Sequence, residues 1–140
     1  MKIVCFHLLN DYSGSPHVLS QVIRGFVSDS FEIDLYTSGV DQKGFLSDLY
    51  GVNTHHFSYR FSRFKLVSLF LLFISQLSLF FRLLKYNREK VTFYVNTVLP
   101  FGAALAGWIM NKRVIYHFHE TSIKPKPWKK FLFWIARLSE

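Results

Sequence analysis

Residues 2–16, KIVCFHLLNDYSGSP, decide how this chain folds. Residues 2–9 form a nearly continuous apolar run, which is typical of a strand buried on both faces of a parallel sheet. Residues 10–16 have the composition of a loop, and apolar side chains recur at three- and four-residue spacing over residues 17–28, which predicts a helix. A strand, a polar loop and a helix in this order predict one unit of an α/β fold.

The same alternation continues along the chain. Apolar runs predict further strands at residues 31–37, 53–57, 91–95 and 113–118, and helical spacing predicts helices at residues 44–50, 62–86, 100–110 and 128–138. Gly102 and Gly107 should let the third of these helices pack closely. The pattern predicts an α/β parallel sheet.

Size and composition narrow the class of protein. The chain has 140 residues, of which 50% are hydrophobic, so it forms one domain with one core and is not a disordered chain. Cys5 is its single cysteine, which excludes a disulfide scaffold. The last helix would leave Phe131 and Trp134 barely covered, so we expect residues 1–140 to be one domain of a longer protein.

The formal net charge is +8, and the excess lies in two segments, residues 60–90 and 112–140. Segregated basic charge attracts polyanions, either nucleic acid or an anionic membrane surface. We expect no nucleic-acid partner, because the basic residues bracket an apolar run and no zinc or RRM-type motif is present. The N-terminus lacks a signal-peptide pattern, and we expect a cytoplasmic protein.

The long predicted helix holds the candidate membrane contact. Its uncharged run, residues 66–81, would span about 24 Å, less than the ~30 Å hydrocarbon core. A helical projection places Lys65, Arg82 and Lys85 on a polar stripe with three serines, opposite a broad apolar face. Three readings stay open: the apolar face packs only on the sheet, the helix also contacts a membrane at the inner face of the cell, or it spans the membrane.

Polar residues follow several predicted strands, where an open parallel sheet binds its ligands. They are Asn10, Asp11, Ser13, Gly14 and Ser15 after the first strand, Thr37 and Ser38 after the second, Asn96 and Thr97 after the fourth, and His119, Glu120, Thr121 and Ser122 after the fifth. The Ser13–Ser15 loop leads into a helix N-terminus, which is either an anion site or an ordinary turn.

Two histidines, His117 and His119, lie two residues apart and so share one face of a strand. A zinc site would need a third ligand, and the remaining histidines show no ligand spacing, so we expect no metal. His119, followed by Glu120, is either a hydrogen-bond or proton donor to a sugar or phosphate or a structural histidine.

Three stretches together carry a resemblance to a known family. They are residues 13–19 (SGSPHVL), 94–100 (YVNTVLP) and 114–121 (VIYHFHET). In order, spacing and strand context they resemble the N-terminal domain of GT-B glycosyltransferases of family 4, retaining enzymes that include many bacterial transferases of surface polysaccharides and lipid-linked sugars. The resemblance implies a Rossmann-like parallel sheet with helices on both faces, forming the acceptor-binding half of a two-domain enzyme.

The resemblance also implies roles for residues. His119 matches the histidine beside the transferred sugar, and the Gly14 loop matches the loop near the donor diphosphate or the acceptor. Ser13, Ser15, Asn96, Thr97 and Glu120 would then contact substrate. Gly14 stands between two serines where many members have adjacent glycines, so the backbone approaches a phosphate less closely.

The activity implied is transfer of a sugar, of the hexosyl type, from a sugar nucleotide to a saccharide or lipid-linked acceptor, with no cofactor and no metal. A second domain would hold the donor, so this chain alone would be inactive. The alternative is a non-catalytic subunit that docks on a membrane and recruits a separate catalytic chain. A nucleotide-binding oxidoreductase is disfavoured, because the glycine fingerprint is absent from the first turn.

Overall fold

The computed structural model describes residues 1–38, 43–60 and 62–119, together with residues 130, 131, 134 and 137. Within these residues one sheet contains β1 (Lys2–Leu9), β2 (Glu32–Ser38), β3 (Val52–Phe57), β4 (Val91–Asn96) and β5 (Arg113–His117). All of its strand pairs are parallel, in the spatial order β3-β2-β1-β4-β5. The predicted α/β parallel sheet is confirmed.

Among the described residues, three α-helices connect the strands: α1 (Gly14–Ser28), α2 (Lys65–Leu83) and α3 (Phe101–Ile109). α1 begins three residues earlier than predicted, because Pro16 is accepted within the first turn of a helix. The long helix begins three residues later than predicted, and its last turn tightens into the 3₁₀ helix Leu84–Arg88. Residues 130, 131, 134 and 137 have helical backbone, and the rest of the predicted last helix lies outside the described residues.

The predicted helix at residues 44–50 is wrong, since turns and bends occupy this segment. Asn10 holds it from β1: its Oδ1 accepts a hydrogen bond from Leu46 N at 3.0 Å, and its Nδ2 donates to Ser47 Oγ at 2.9 Å. A Cβ on Gly44 would lie 2.3 Å from Asn10 Oδ1, so only glycine fits there. These contacts replace the hydrogen bonds of a helix.

Helices cover both faces of the sheet, as predicted. On one face α1 packs Leu19 and Ile23 against Cys5 and Leu35. On the other face α2 and α3 pack against alternate residues of the same strands, including Phe6 and Phe93. The central strands are therefore buried on both sides, which explains their nearly continuous apolar sequence.

The orientation of α2 differs from the reading in which its apolar face packs on the sheet. Its buried side contains three leucines as well as Ser75 and Gln76, while most of the large apolar residues point outward. The reason lies in α3: a Cβ on Gly102 would lie 2.3 Å from Gln76 O, and Gln76 Oε1 accepts a hydrogen bond from Gly102 N at 3.1 Å. The close crossing at Gly102 needs a polar side chain that satisfies the N-terminus of α3.

Candidate active site

The crevice expected to bind a ligand lies between β1 and β4, where the strand order reverses. Phe6 pairs with Val95, so the next residues along the two strands, His7 and Asn96, meet at the carboxyl end of the sheet. Both side chains are on the α1 face and both are buried. A polar pair at this position is unusual beside the apolar strand interiors.

The Asn96 side chain joins three elements. Its Nδ2 donates to Ser15 O at 3.1 Å, at the start of α1, and lies 3.2 Å from His7 Nδ1 on β1. Its Oδ1 lies 2.8 Å from His119 Nε2, just beyond β5. Because an amide oxygen only accepts, His119 donates, and a neutral His119 ring carries its proton on Nε2. Asn96 therefore sets both the position and the tautomer of His119.

His117 and His119 share the α1 face of β5, as predicted, with ring centroids 4.3 Å apart. Tyr94 OH lies 2.6 Å from His117 Nδ1. Burial raises the pKa of Tyr94 above its ordinary value, so this hydroxyl keeps its proton. Both histidines are half-buried, so each ring combines contact with the protein and access to solvent.

The predicted Ser13–Ser15 loop is the start of α1. Ser13 is the residue before the helix, and its N–H and hydroxyl both donate to Asp11 Oδ1, at 2.9 and 2.5 Å. These two hydrogen bonds, and above all the one from the hydroxyl, hold the pKa of Asp11 below its ordinary value. Gly14 is exposed with open space around it, and Ser15 Oγ lies 3.5 Å from His7 Nε2. Ser15 is thus joined to the polar cluster, whereas Ser13 is bonded locally.

Thr97 follows Asn96 with a φ of 73°, a left-handed conformation that is strained for a threonine. Its N–H donates to His117 O at 2.9 Å, and its Oγ1 is buried without a hydrogen-bond partner among the described residues. Ser38 instead donates to Leu8 O and is part of the sheet. Glu120, Thr121 and Ser122 lie outside the described residues.

Sequence reasoning missed His7 and Tyr94 as members of this cluster. His7 interrupts the apolar run of the first strand, and this interruption is the signal that could have identified it. Among the described residues, no group of three or more His, Cys, Asp or Glu side chains is arranged to hold a metal ion.

A second polar cluster surrounds the buried Asp34, nearer the amino end of the sheet. Tyr86 OH donates to its carboxylate, Asn53 Nδ2 donates at 3.2 Å, and Lys2 Nζ and His55 Nε2 lie at 3.7 and 3.8 Å. Burial raises the pKa of Asp34, but these donors and charges outweigh it, so the net pKa is below the ordinary value. None of these residues belongs to the cluster at the crevice.

The residues predicted to contact a membrane are spread along α2 and its 3₁₀ extension. Lys65 is exposed, Arg82 Nη1 donates to His56 O at 2.9 Å, and Lys85 Nζ lies 4.7 Å from the centroid of Tyr86. In the part of the chain that is described, one helix, Lys65–Arg88, is long and apolar enough to cross a membrane. Length and composition alone do not separate a spanning helix from a surface or core helix.

The fold matches solved structures of glycosyltransferases. The kitacinnamycin glycotransferase is 11% identical with a TM-score of 0.65, over 97% of this chain and 34% of its own. MurG of Acinetobacter baumannii is 10% identical with a TM-score of 0.64, over 100% and 40%. HepE of Anabaena, solved with UDP and glucose, is 15% identical with a TM-score of 0.60, over 99% and 35%.

No family model matches the sequence, and no curated protein matches it. The structural likeness is therefore one of fold: the chain has the Rossmann-like α/β architecture of GT-B glycosyltransferases. It spans between 34% and 40% of the length of these three structures.

Proposed function

We propose that this chain is the N-terminal, acceptor-binding domain of a GT-B glycosyltransferase. The enzyme transfers a sugar from a sugar nucleotide to a saccharide or lipid-linked acceptor, with retention of configuration. The observation that carries the proposal is the His119–Asn96–His7 cluster, which occupies the ligand-binding crevice of a sheet whose fold is that of such transferases.

His119 is the proposed catalytic residue. With its Nε2 proton donated to Asn96, the neutral ring has an accepting Nδ1, which suits a hydroxyl of the transferred sugar. A hydrogen bond there would strengthen as the sugar gains oxocarbenium character and would stabilise the transition state. The leaving diphosphate would take the proton of the acceptor hydroxyl, so no separate general base or metal ion is required.

The remaining predicted substrate contacts are assigned by their place around the crevice. Ser15 contacts the Asn96 side chain through its carbonyl oxygen, and Thr97 follows Asn96 in the sequence. Ser13 and Gly14 form the exposed start of α1. Glu120 follows His119 in the sequence. The donor would be a sugar nucleotide held mainly by a second domain, and the UDP and glucose bound by HepE make UDP-glucose the first donor to test.

The test uses the full-length protein, UDP-glucose and a membrane lipid extract as the acceptor pool. Removing one transition-state hydrogen bond costs about 10²–10³-fold in kcat, so His119→Ala should lower kcat by that factor with little change in the KM for UDP-glucose. His17→Ala is the matched control, because His17 is an exposed histidine of α1 outside the cluster. Equal kcat values for His119→Ala and wild type would remove His119 from the mechanism.

The anomeric configuration of the product tests the stereochemical part of the proposal. Proton NMR of the transferred sugar should show the α configuration of UDP-glucose retained. A β-linked product would mean an inverting enzyme and would exclude the family 4 mechanism. If the full-length protein neither binds nor transfers from any nucleotide sugar tried, the proposal that it is a glycosyltransferase would be refuted.

We place the enzyme in the cytoplasm, peripheral at the inner face of the membrane, where polysaccharide and lipid-linked acceptors are built. Lys65, Arg82 and Lys85 would supply attraction to anionic lipid. The outward apolar face of α2 also favours a second candidate, a non-catalytic membrane-docking subunit that recruits a catalytic chain. The mass of the native protein separates the two, since a mass near that of this chain, 16.5 kDa, would favour the subunit.

A further inference from the structure

The ring of His119 has to be held in two ways if its Nδ1 is to meet a hydroxyl of the transferred sugar. Its Nε2 end must stay in place, and the hydrogen bond to Asn96 Oδ1, at 2.8 Å, achieves this. The plane of the ring must also not turn, and one bond at one end of a ring leaves the broad outer torsion of a histidine side chain open. The strand itself does not extend to His119, since β5 ends at His117.

The ring of His117 supplies the contact that holds this plane. The centroids of the two imidazoles are 4.3 Å apart and their planes meet at 30°, so the rings lie largely face to face. At this separation the atoms of the two rings are in van der Waals contact. Turning His119 about its outer torsion would drive the edge of its ring into His117. The His117 ring therefore limits rotation of His119, whereas Asn96 fixes the position of its Nε2.

Tyr94 fixes the His117 ring in turn. Its OH lies 2.6 Å from His117 Nδ1, and its own ring packs edge-on against Phe26 of α1, with centroids 5.7 Å apart. Tyr94 is 8% exposed, and its hydroxyl has no second hydrogen-bond partner among the described residues. Donation from His117 Nδ1 would leave the hydroxyl proton of this buried side chain without an acceptor, so Tyr94 donates and Nδ1 accepts. A neutral His117 then carries its proton on Nε2, as His119 does.

The backbone of His117 is held from the same neighbouring strand. Thr97, directly after β4, donates its N–H to His117 O at 2.9 Å and does so from its left-handed conformation. A threonine keeps such a strained conformation only where its surroundings determine it. Tyr94, Asn96 and Thr97 thus connect the end of β4 to residues 117 and 119 at three points, at 2.6, 2.8 and 2.9 Å.

We infer that Tyr94 and His117 are positioning residues for His119: Tyr94 fixes the His117 ring, and the His117 ring holds His119 in the plane that aims its Nδ1 at the transferred sugar. This role rests on the proposed function, in which that Nδ1 accepts a hydrogen bond from a sugar hydroxyl. Such a bond depends on direction as well as distance and weakens steeply when it is bent. An enzyme whose His119 ring can turn would bind UDP-glucose almost as well and react more slowly.

The first test is Tyr94→Phe in the full-length protein, in the UDP-glucose transfer assay described above. The variant removes one hydroxyl and keeps the ring that packs on α1. The kcat should fall about threefold to tenfold, the contribution of one hydrogen bond, while the KM for UDP-glucose stays unchanged. In a His119→Ala background the same substitution should have no further effect on kcat, because no ring is left to position. Tyr50→Phe is the matched control, since Tyr50 is 95% exposed and its hydroxyl should not affect kcat.

Variants of His117 separate the contact between the rings from the hydrogen bond. His117→Ala removes the ring beside His119 and should lower kcat about tenfold. Tyr94→Phe combined with His117→Phe keeps a flat ring there and leaves no hydroxyl without a partner, because both members of the hydrogen bond become apolar groups of similar shape. The kcat of this double variant should exceed that of His117→Ala. Equal values would mean that the face of the His117 ring does not hold His119.

Nitrogen and proton NMR of the histidine rings gives a readout that needs no turnover. In the wild type, His117 and His119 should both be Nε2–H tautomers. Tyr94→Phe should give His117 a mixture of the two tautomers, because the donor to its Nδ1 is gone, and should shift the ring signals of His119, because the neighbouring ring moves. The urea midpoint of each variant, measured in parallel, restricts the comparison to folded protein.

Three further results would overturn the inference. Unchanged His119 ring signals in Tyr94→Phe would mean that His117 does not hold its neighbour. An equal fall in kcat with and without His119 would mean that Tyr94 acts through another residue, and a raised KM with constant kcat would mean that Tyr94 serves substrate binding alone. Coupled ring signals in a protein that transfers no sugar would instead support the arrangement of the three residues and refute the proposed enzyme.

Discussion

Replacing Asn96 with alanine tests whether one amide assembles the candidate active site. The side chain makes three hydrogen bonds, at 2.8 Å from His119, 3.1 Å to Ser15 O and 3.2 Å to His7. A hydrogen bond contributes about 1 kcal/mol net, so the loss should be about 3 kcal/mol in the free energy of unfolding. Asn96 is 0% exposed, so water does not replace these bonds without opening the site.

The assay is urea unfolding of the full-length protein, followed by circular dichroism. Asn96→Ala should lower the midpoint while leaving the slope unchanged, as a change in stability alone requires. Nitrogen NMR of His119 should also change, because the amide oxygen that favours the Nε2–H tautomer is gone. Asn87→Ala is the matched control, since Asn87 is exposed on the 3₁₀ helix and its loss should cost less than about 0.5 kcal/mol.

A loss as small as that of Asn87→Ala would refute this reading of the site. So would an unchanged His119 tautomer, because Asn96 would then not determine the proton position on which the proposed hydrogen bond to the sugar depends. If stability falls but the tautomer persists, Asn96 is a structural residue and not a positioning residue for His119.

Two further predictions concern stability. A Cβ at Gly102 would lie 2.3 Å from the backbone of Gln76, so Gly102→Ala should destabilise the protein by about 1–3 kcal/mol. A Cβ at Gly25 would have nothing within 4 Å, so Gly25→Ala should stabilise the protein by about 0.5–1 kcal/mol. Thermal unfolding should therefore show a lower midpoint for the first variant and a higher midpoint for the second. Burial, aided by neighbouring Lys85, lowers the pKa of His55 below 6.5 despite Asp34, so the unfolded chain binds the proton more readily and stability should fall as the pH drops below about 6.5. His55→Gln should flatten that part of a pH series of urea unfolding curves, and an unchanged series would contradict the assignment.

The strands and most helices could be predicted because their signals are local. Apolar runs marked β1 and β4, three- and four-residue spacing marked α1, and glycines marked the close packing of α3, each within a few residues of the element it describes. The prediction of a helix at residues 44–50 failed for the same reason. The conformation of this segment depends on a hydrogen bond from Leu46 N to Asn10, a residue far away in the sequence, and no local pattern reports that bond.

The candidate site was predictable in part. Parallel strands bring their carboxyl ends to one edge, so Asn96 and His119 could be expected near each other from their positions after neighbouring strands. That His7 joins them depends on the register of β1 against β4, and register is a property of strand pairing across 89 residues of chain. A histidine inside an apolar run looks the same whether it faces a core or a crevice.

By itself, the sequence determined the class of fold, the positions of the strands, the polar residues at their ends and the segregation of basic charge, because each follows from composition or local spacing. Tertiary structure alone decided which way α2 faces and what Asn96 holds together. A helical projection finds an apolar side but not its neighbour, and the neighbour here is α3, whose glycine draws the backbone of Gln76 close and turns the phenylalanines outward.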